Sequence, residues 1–203
     1  MVLRGRPTLQ TFAVLVAVYL FQLVAGLART VEYLLFVLDP TVAARPWVLV
    51  TSVYAHSGFP HLLANVVALA VLGPLVARRT TALRYHAFFL TTGALSGLAE
   101  VYLGGIVGPP HAVWGASGAI LAFLGYLLAG NVVSARVLDR VGLSARAQLV
   151  LLGVVVVAVT LAASGPGSAV IGHATGLACG LAAGRLRVLD VGRPAPPEPN
   201  YRL

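Results

Sequence analysis

Residues 111–130 read HAVWGASGAILAFLGYLLAG. Ser117 stands among small residues at the head of a long apolar run. The stretch before it, GGIVGPPHAV over 104–113, is rich in Gly and Pro and predicts irregular backbone. The run after it predicts a helix. A break from loop to helix inside an apolar chain is expensive in hydrocarbon unless protein or water surrounds it. What surrounds Ser117 therefore decides how the chain folds.

The 203 residues are 59% hydrophobic and 10% charged, with mean hydropathy +0.91. Soluble domains carry about 25% charged residues. A chain this apolar cannot cover a water-facing surface, so we read it as an all-α, polytopic membrane protein. The net charge of +8 does not point to nucleic acid. All fourteen basic residues are arginines, and they are scattered between apolar runs rather than gathered in one patch. That is the pattern that orients helices in a bilayer. The single cysteine, Cys179, excludes an internal disulfide and reads as a packing residue. No cleavable signal peptide is expected.

A spanning helix needs about 20 mostly apolar residues. Six stretches qualify, at roughly 9–28, 60–77, 82–103, 114–133, 147–164 and 169–189. Arg4 and Arg6, then Arg78, Arg79 and Arg84, then Arg136, Arg140 and Arg146, then Arg185, Arg187, Arg193 and Arg202 alternate to one side of these helices. Only Arg29 and Arg45 fall on the other. The positive-inside rule then places both termini in the cytoplasm. Residues 1–190 are expected to form one membrane domain, and 191–203 a Pro-rich cytoplasmic tail. A multi-pass protein of the cell membrane, most simply a prokaryotic plasma membrane, follows. Residues 29–59 form a long outer loop too apolar to be free in water, which predicts short helices at the headgroup boundary.

Ionisable and amide side chains at membrane depth are functional hypotheses by default. His61 and Asn65 open the second helix, Ser117 opens the fourth, and His173 lies near the start of the sixth. Orientation by arginines alone puts all three helix starts at the outer face. If Gly130 and Asn131 end the fourth helix, its apolar part is about 14 residues, or roughly 21 Å. Ser117 then lies below the surface of a hydrocarbon core about 30 Å thick. Gly172, Gly176, Gly180 and Gly184 recur every four residues along one face of the sixth helix. Gly118, Ala122, Gly125 and Ala129 line one face of the fourth. Two such faces can pack closely and bring Ser117 to His173.

Three segments, HSGFPHLLAN over 56–65, GASG over 115–118 and GHATGLACG over 172–180, resemble the motifs of the rhomboid intramembrane serine proteases. They occur in that family's order, and the resemblance spans the six-helix region. It implies Ser117 as nucleophile and His173 as general base of a Ser-His dyad. It implies that Asn65 and His61 help the Ser117 backbone N–H hold the oxyanion. His56, Gly115, Gly118, Gly176 and Gly180 become structural residues near the site. The implied substrate is a single-pass transmembrane protein cleaved near the outer face. Two positions depart from the pattern. Some members carry a tyrosine four residues after the serine, stacked on the base; here it is Leu121. Many carry a Trp-Arg pair in the first loop; here Trp47 is followed by Val48.

Other readings are weaker. A metal held by His56, His61 and His173 has no H-E-x-x-H pair to support it, and we expect neither metal nor cofactor. Ser117 as a mere helix cap leaves His173 unexplained. A small transporter predicts polar groups near helix centres, whereas these lie at outer ends. A catalytically silent relative that binds transmembrane clients is the alternative that Leu121 leaves room for. Glu100, at the outer end of the third helix, reads as solvated.

Overall fold

The computed structural model describes residues 6–106, 112–130, 145–163 and 167–191. Arg4, His111, Asn131, Arg136, Arg140 and the tail from 192 on lie outside these residues. The described chain is all-helical, with one isolated antiparallel bridge between Leu38 and Val113. The helices are α1 (Arg6–Ala25), α2 (Arg29–Phe36), α3 (Val48–Tyr54), α4 (Phe59–Ala77), α5 (Ala82–Leu103), α6 (Ser117–Ala129), α7 (Ala145–Ala163) and α8 (Val170–Arg185). Six of them occupy the six apolar stretches; α2 and α3 are the short helices expected in the first loop.

Among the described residues, three stretches are long and apolar enough to cross a membrane: Arg6–Ala25, Phe59–Ala77 and Ala82–Ile106. Their outer faces are apolar and bare. Leu63, Val67, Val71 and Leu75 form an exposed stripe at four-residue spacing on α4, opposite buried Leu62, Asn65, Leu69 and Val76. In water such a stripe is a liability; against lipid it is solvated. The chain is a polytopic helical membrane bundle.

The fourth stretch is shorter than expected. The sequence predicts 114–133, but α6 begins at Ser117 and ends at Ala129, where the Gly130 N–H bonds the Tyr126 carbonyl at 2.8 Å. The Arg79 guanidinium donates to the Gly130 carbonyl at 3.0 Å, which satisfies an orphan acceptor and complements the helix dipole. Thirteen residues give about 20 Å. Residues 118–123, 125 and 126 are all buried, so α6 runs through the centre of the bundle.

The α6–α8 contact is built on missing side chains. A Cβ at Gly176 would fall on the Gly118 carbonyl, one at Gly180 on the Ala122 carbonyl and one at Gly184 on the Tyr126 carbonyl. Each step is four residues on both helices, so backbone meets backbone along the whole seam. Gly125 does the same from α6, against the Leu177 carbonyl. Ala129 packs beside the seam rather than in it, with Leu121, Leu177 and Leu181.

We expect Gly180→Ala to be strongly destabilising, by about 1–3 kcal/mol, as overpacking is. A methyl group added at Gly153 on α7 would meet nothing within 4 Å, so Gly153→Ala should be neutral or slightly stabilising. Melting temperatures in detergent check the pair; equal effects would refute the seam.

Candidate active site

Ser117 is the first residue of α6, and the cap position before it is Ala116, whose side chain makes no capping bond. Ser117 is therefore not the helix cap. Its Oγ lies 2.8 Å from His173 Nε2, a hydrogen bond across 56 residues of sequence. His173 sits in the first turn of α8, 8% exposed, with its N–H on the Ala169 carbonyl. The glycine seam starts one residue past Ser117 and one turn past His173, so the close approach of the backbones is what lets these two side chains meet.

The segment entering α6 is held from both sides. Leu38 and Val113 exchange backbone bonds at 3.0 and 2.9 Å, and the Gly115 N–H donates to the Ser52 carbonyl at 2.8 Å. Gly115 has φ +138, a conformation that disfavours any side chain. A Cβ there would also strike the His61 ring, 2.7 Å from Cε1. His61, from the first turn of α4, thus lies against the turn that presents Ser117. Ser117, His173, His61, Ser57, Trp114 and Ser168 share the wall of a cavity of ≈ 300 Å³.

The other predicted residues stand behind this wall. Asn65 is buried one turn below His61 and its amide nitrogen donates to the His61 carbonyl at 2.9 Å; it is not among the residues lining the cavity. His56 is 2% exposed, with its ring edge-on to His61 at 5.0 Å between centroids. Gly118 and Gly176 flank the Oγ of Ser96 on α5, and Gly180 lies further down the seam. Leu121 packs on Leu177 and Leu181, away from the cavity.

Several supporting residues carry no motif. The Gln22 side chain on α1 pairs with the His56 backbone like a strand, accepting from its N–H at 2.8 Å and donating to its carbonyl at 3.2 Å. Glu100 is not solvated, as its place in the sequence suggests. It is 1% exposed and accepts from the Gly172 N–H at 2.8 Å. In the first loop, Arg45 lies two residues before Trp47 and braces the end of α2 with it. Arg45 reaches the Tyr33 carbonyl and Trp47 the Leu34 carbonyl, both at 3.1 Å, and the Thr51 hydroxyl bonds the Leu35 carbonyl. Together they satisfy the last turn of α2. Arg45 also pairs with Asp39 at 2.7 Å. Burial pushes the Asp39 carboxyl up, but bonds from Thr41, Tyr33 and Arg45 outweigh it and hold the group at about 2.

A family model, Rhomboid domain, matches residues 43–189, most of the chain. The chain belongs to the rhomboid family. Its all-helical, apolar architecture is that of a polytopic membrane bundle, and the family is one of intramembrane proteases. No curated protein matches this rhomboid chain. The match begins at Ala43, so α2 and α1, with the Gln22 brace, lie ahead of it.

His56 makes a pH prediction. Burial, then the neighbouring His61, push it down to about 4, against a bond to the Tyr54 carbonyl. An unfolded histidine binds its proton near pH 6.5. As pH falls from about 6.5 to about 4, the unfolded chain gains a proton that folded His56 refuses, and stability is lost. The melting-temperature advantage of wild type over His56→Gln should narrow across that window; a constant gap would refute it.

Proposed function

We propose that this rhomboid is an active serine endopeptidase that cleaves a single-pass transmembrane protein near the outer membrane face. The observation that carries the reading is the 2.8 Å bond between Ser117 Oγ and His173 Nε2 at the wall of a cavity. A serine hydroxyl is a weak nucleophile until a base takes its proton. His173 does this through Nε2, which requires the tautomer with hydrogen on Nδ1.

Ser117 Oγ attacks the substrate carbonyl carbon as its proton passes to His173. The carbonyl oxygen becomes an oxyanion. The amide N–H of Ser117, at the start of α6, has no acceptor within the helix and sits at the positive end of its dipole. His61 supplies a second donor: Ser57 Oγ bonds its Nδ1 at 3.0 Å, and with Ser57 donating, Nε2 carries the hydrogen. Asn65 supports this donor from behind the wall, one amide hydrogen holding the His61 carbonyl. The C–N bond then breaks as His173 returns the proton to the leaving amine. Water, deprotonated by His173, hydrolyses the acyl-Ser117 ester and restores the hydroxyl.

The same reading has six crossings, with both termini cytoplasmic in a cell membrane. The arginines favour it, and a 13-residue α6 ending near the inner boundary puts Ser117 about 10 Å below the outer one. A substrate helix must unwind to enter, because an α-helix keeps its scissile carbonyls in internal bonds.

A fluorophosphonate probe should label the detergent-solubilised wild type. Ser117→Ala should abolish labelling, and His173→Ala should slow it about 10²–10⁴-fold. Cleavage of transmembrane substrates should follow the same order. A wild type that neither labels nor cleaves better than Ser117→Ala would sink the reading and leave a client-binding rhomboid.

A further inference from the structure

With Leu121 turned to the leucine cluster of α8, no aromatic ring lies over His173 from that position. The histidine's backbone N–H is held on the Ala169 carbonyl at 2.8 Å. α8 starts after Ala169, a cap residue with no side-chain oxygen to offer. A helix start leaves its first N–H groups without acceptors. Here one of them, the Gly172 N–H, is met from a different helix: Glu100 Oε2 on α5 accepts it at 2.8 Å. Gly172 is the residue before His173.

The fit around Glu100 is specific. A Cβ at Gly104 would fall on Glu100 Oε1, and one at Gly172 would lie 3.3 Å from Glu100 Cβ. Two glycines thus make room for this side chain between the end of α5 and the start of α8. One turn earlier on α5, Ser96 sits where a Cβ of Gly118 or Gly176 would go. Ser96 therefore gauges the gap between α6 and α8, and Glu100 sets the height and rotation of the first turn of α8 within it.

We propose that Glu100 is a positioning residue, an N-cap supplied in trans by α5, which holds His173 Nε2 on Ser117 Oγ. The inference rests on the reading of Ser117 and His173 given above. It is the hydrogen-bond acceptor at that distance, rather than the charge, that does the positioning. A carboxylate is additionally favoured at a helix start by the dipole, but a neutral acceptor of the same length makes the same bond. Misplacing a reacting group by about 1 Å costs on the order of 10²-fold in rate.

The test uses the full chain in detergent and two mild variants. Glu100→Gln keeps the acceptor and removes the charge; Glu100→Asp keeps the charge and withdraws the acceptor by one methylene. Fluorophosphonate labelling of Glu100→Asp should slow on the order of 10²-fold, while Glu100→Gln stays within a few-fold of wild type. In a His173→Ala background, Glu100→Asp should slow the residual labelling no further, because Glu100 acts only through that histidine. Three results overturn the proposal: Glu100→Gln as slow as Glu100→Asp, Glu100→Asp as fast as wild type, or the same slowing with and without His173. If Glu100→Asp does not fold, the Glu100→Gln rate alone decides. If wild type does not label at all, the proposed activity fails, and the His173 ring nitrogen resonances decide this point instead. Glu100→Asp should then move the Nε2 signal as Ser117→Ala does, while Glu100→Gln leaves it in place; a signal unmoved by Glu100→Asp overturns the positioning role.

Discussion

The contact between α6 and α8 is the constraint on which the rest of the structure depends. Lipid is as apolar as leucine, so burial of apolar side chains does not drive helices together inside a membrane. What remains is close van der Waals contact and weak Cα–H···O bonds, and both need the backbones to touch. Gly176, Gly180 and Gly184 place bare Cα atoms against the carbonyls of Gly118, Ala122 and Tyr126. Glycine is a poor helix former, so this seam costs local stability in return for proximity. A leucine seam would hold the axes about 8–10 Å apart and leave Ser117 and His173 out of reach.

Around that seam α5 acts as a ruler with two edges. Toward the first loop it presents Gly93 and Gly97, on which Val53 and Leu38 rest. Toward the seam it presents Ser96 and Glu100. Leu38 in turn pairs with Val113, two residues ahead of Gly115. The loop, the turn before Ser117 and the start of α8 are thus all referenced to one helix. The short helices of the loop are themselves secured by Arg45, Trp47 and Thr51 on the carbonyls of α2, so the reference is rigid at both ends.

The sequence made the seam legible because its signal is local: glycines every four residues report one helix face whatever packs on it. Ser117 and His173 were legible as polar groups at the starts of two apolar helices. Glu100, Gln22 and Arg45 were not, and for one physical reason. Each serves a backbone group on a different element, and such a bond leaves no periodic trace. Position 100 is an acidic residue near a helix end, where water is the default partner. Only the approach of Gly172, 72 residues away, makes it a buried cap. The extent of α6 failed for the opposite reason: apolar composition runs on from Val113 and Trp114, but Gly115 at φ +138 cannot be helical, so the helix waits for Ser117.

That delayed start is what would reconcile the proposed hydrolysis with a membrane. A helix that spanned the full hydrocarbon thickness would bond its own N–H groups at depth and offer nothing to a reacting carbonyl. In the proposed orientation a helix of about 20 Å begins part-way down, and its first N–H groups must find partners there. Lipid supplies none, so the protein surrounds the opening with groups that tolerate water: Ser57, His61, Ser168 and His173 line one cavity with Ser117. The same unsatisfied donors that make a buried helix start costly are those a tetrahedral oxyanion needs. At α8 the chain answers the identical problem differently, meeting the Gly172 N–H with Glu100. One helix start, at Ser117, lies at the cavity wall and the other is closed by a fixed acceptor, and His173, the base of the proposed reaction, is on the closed one.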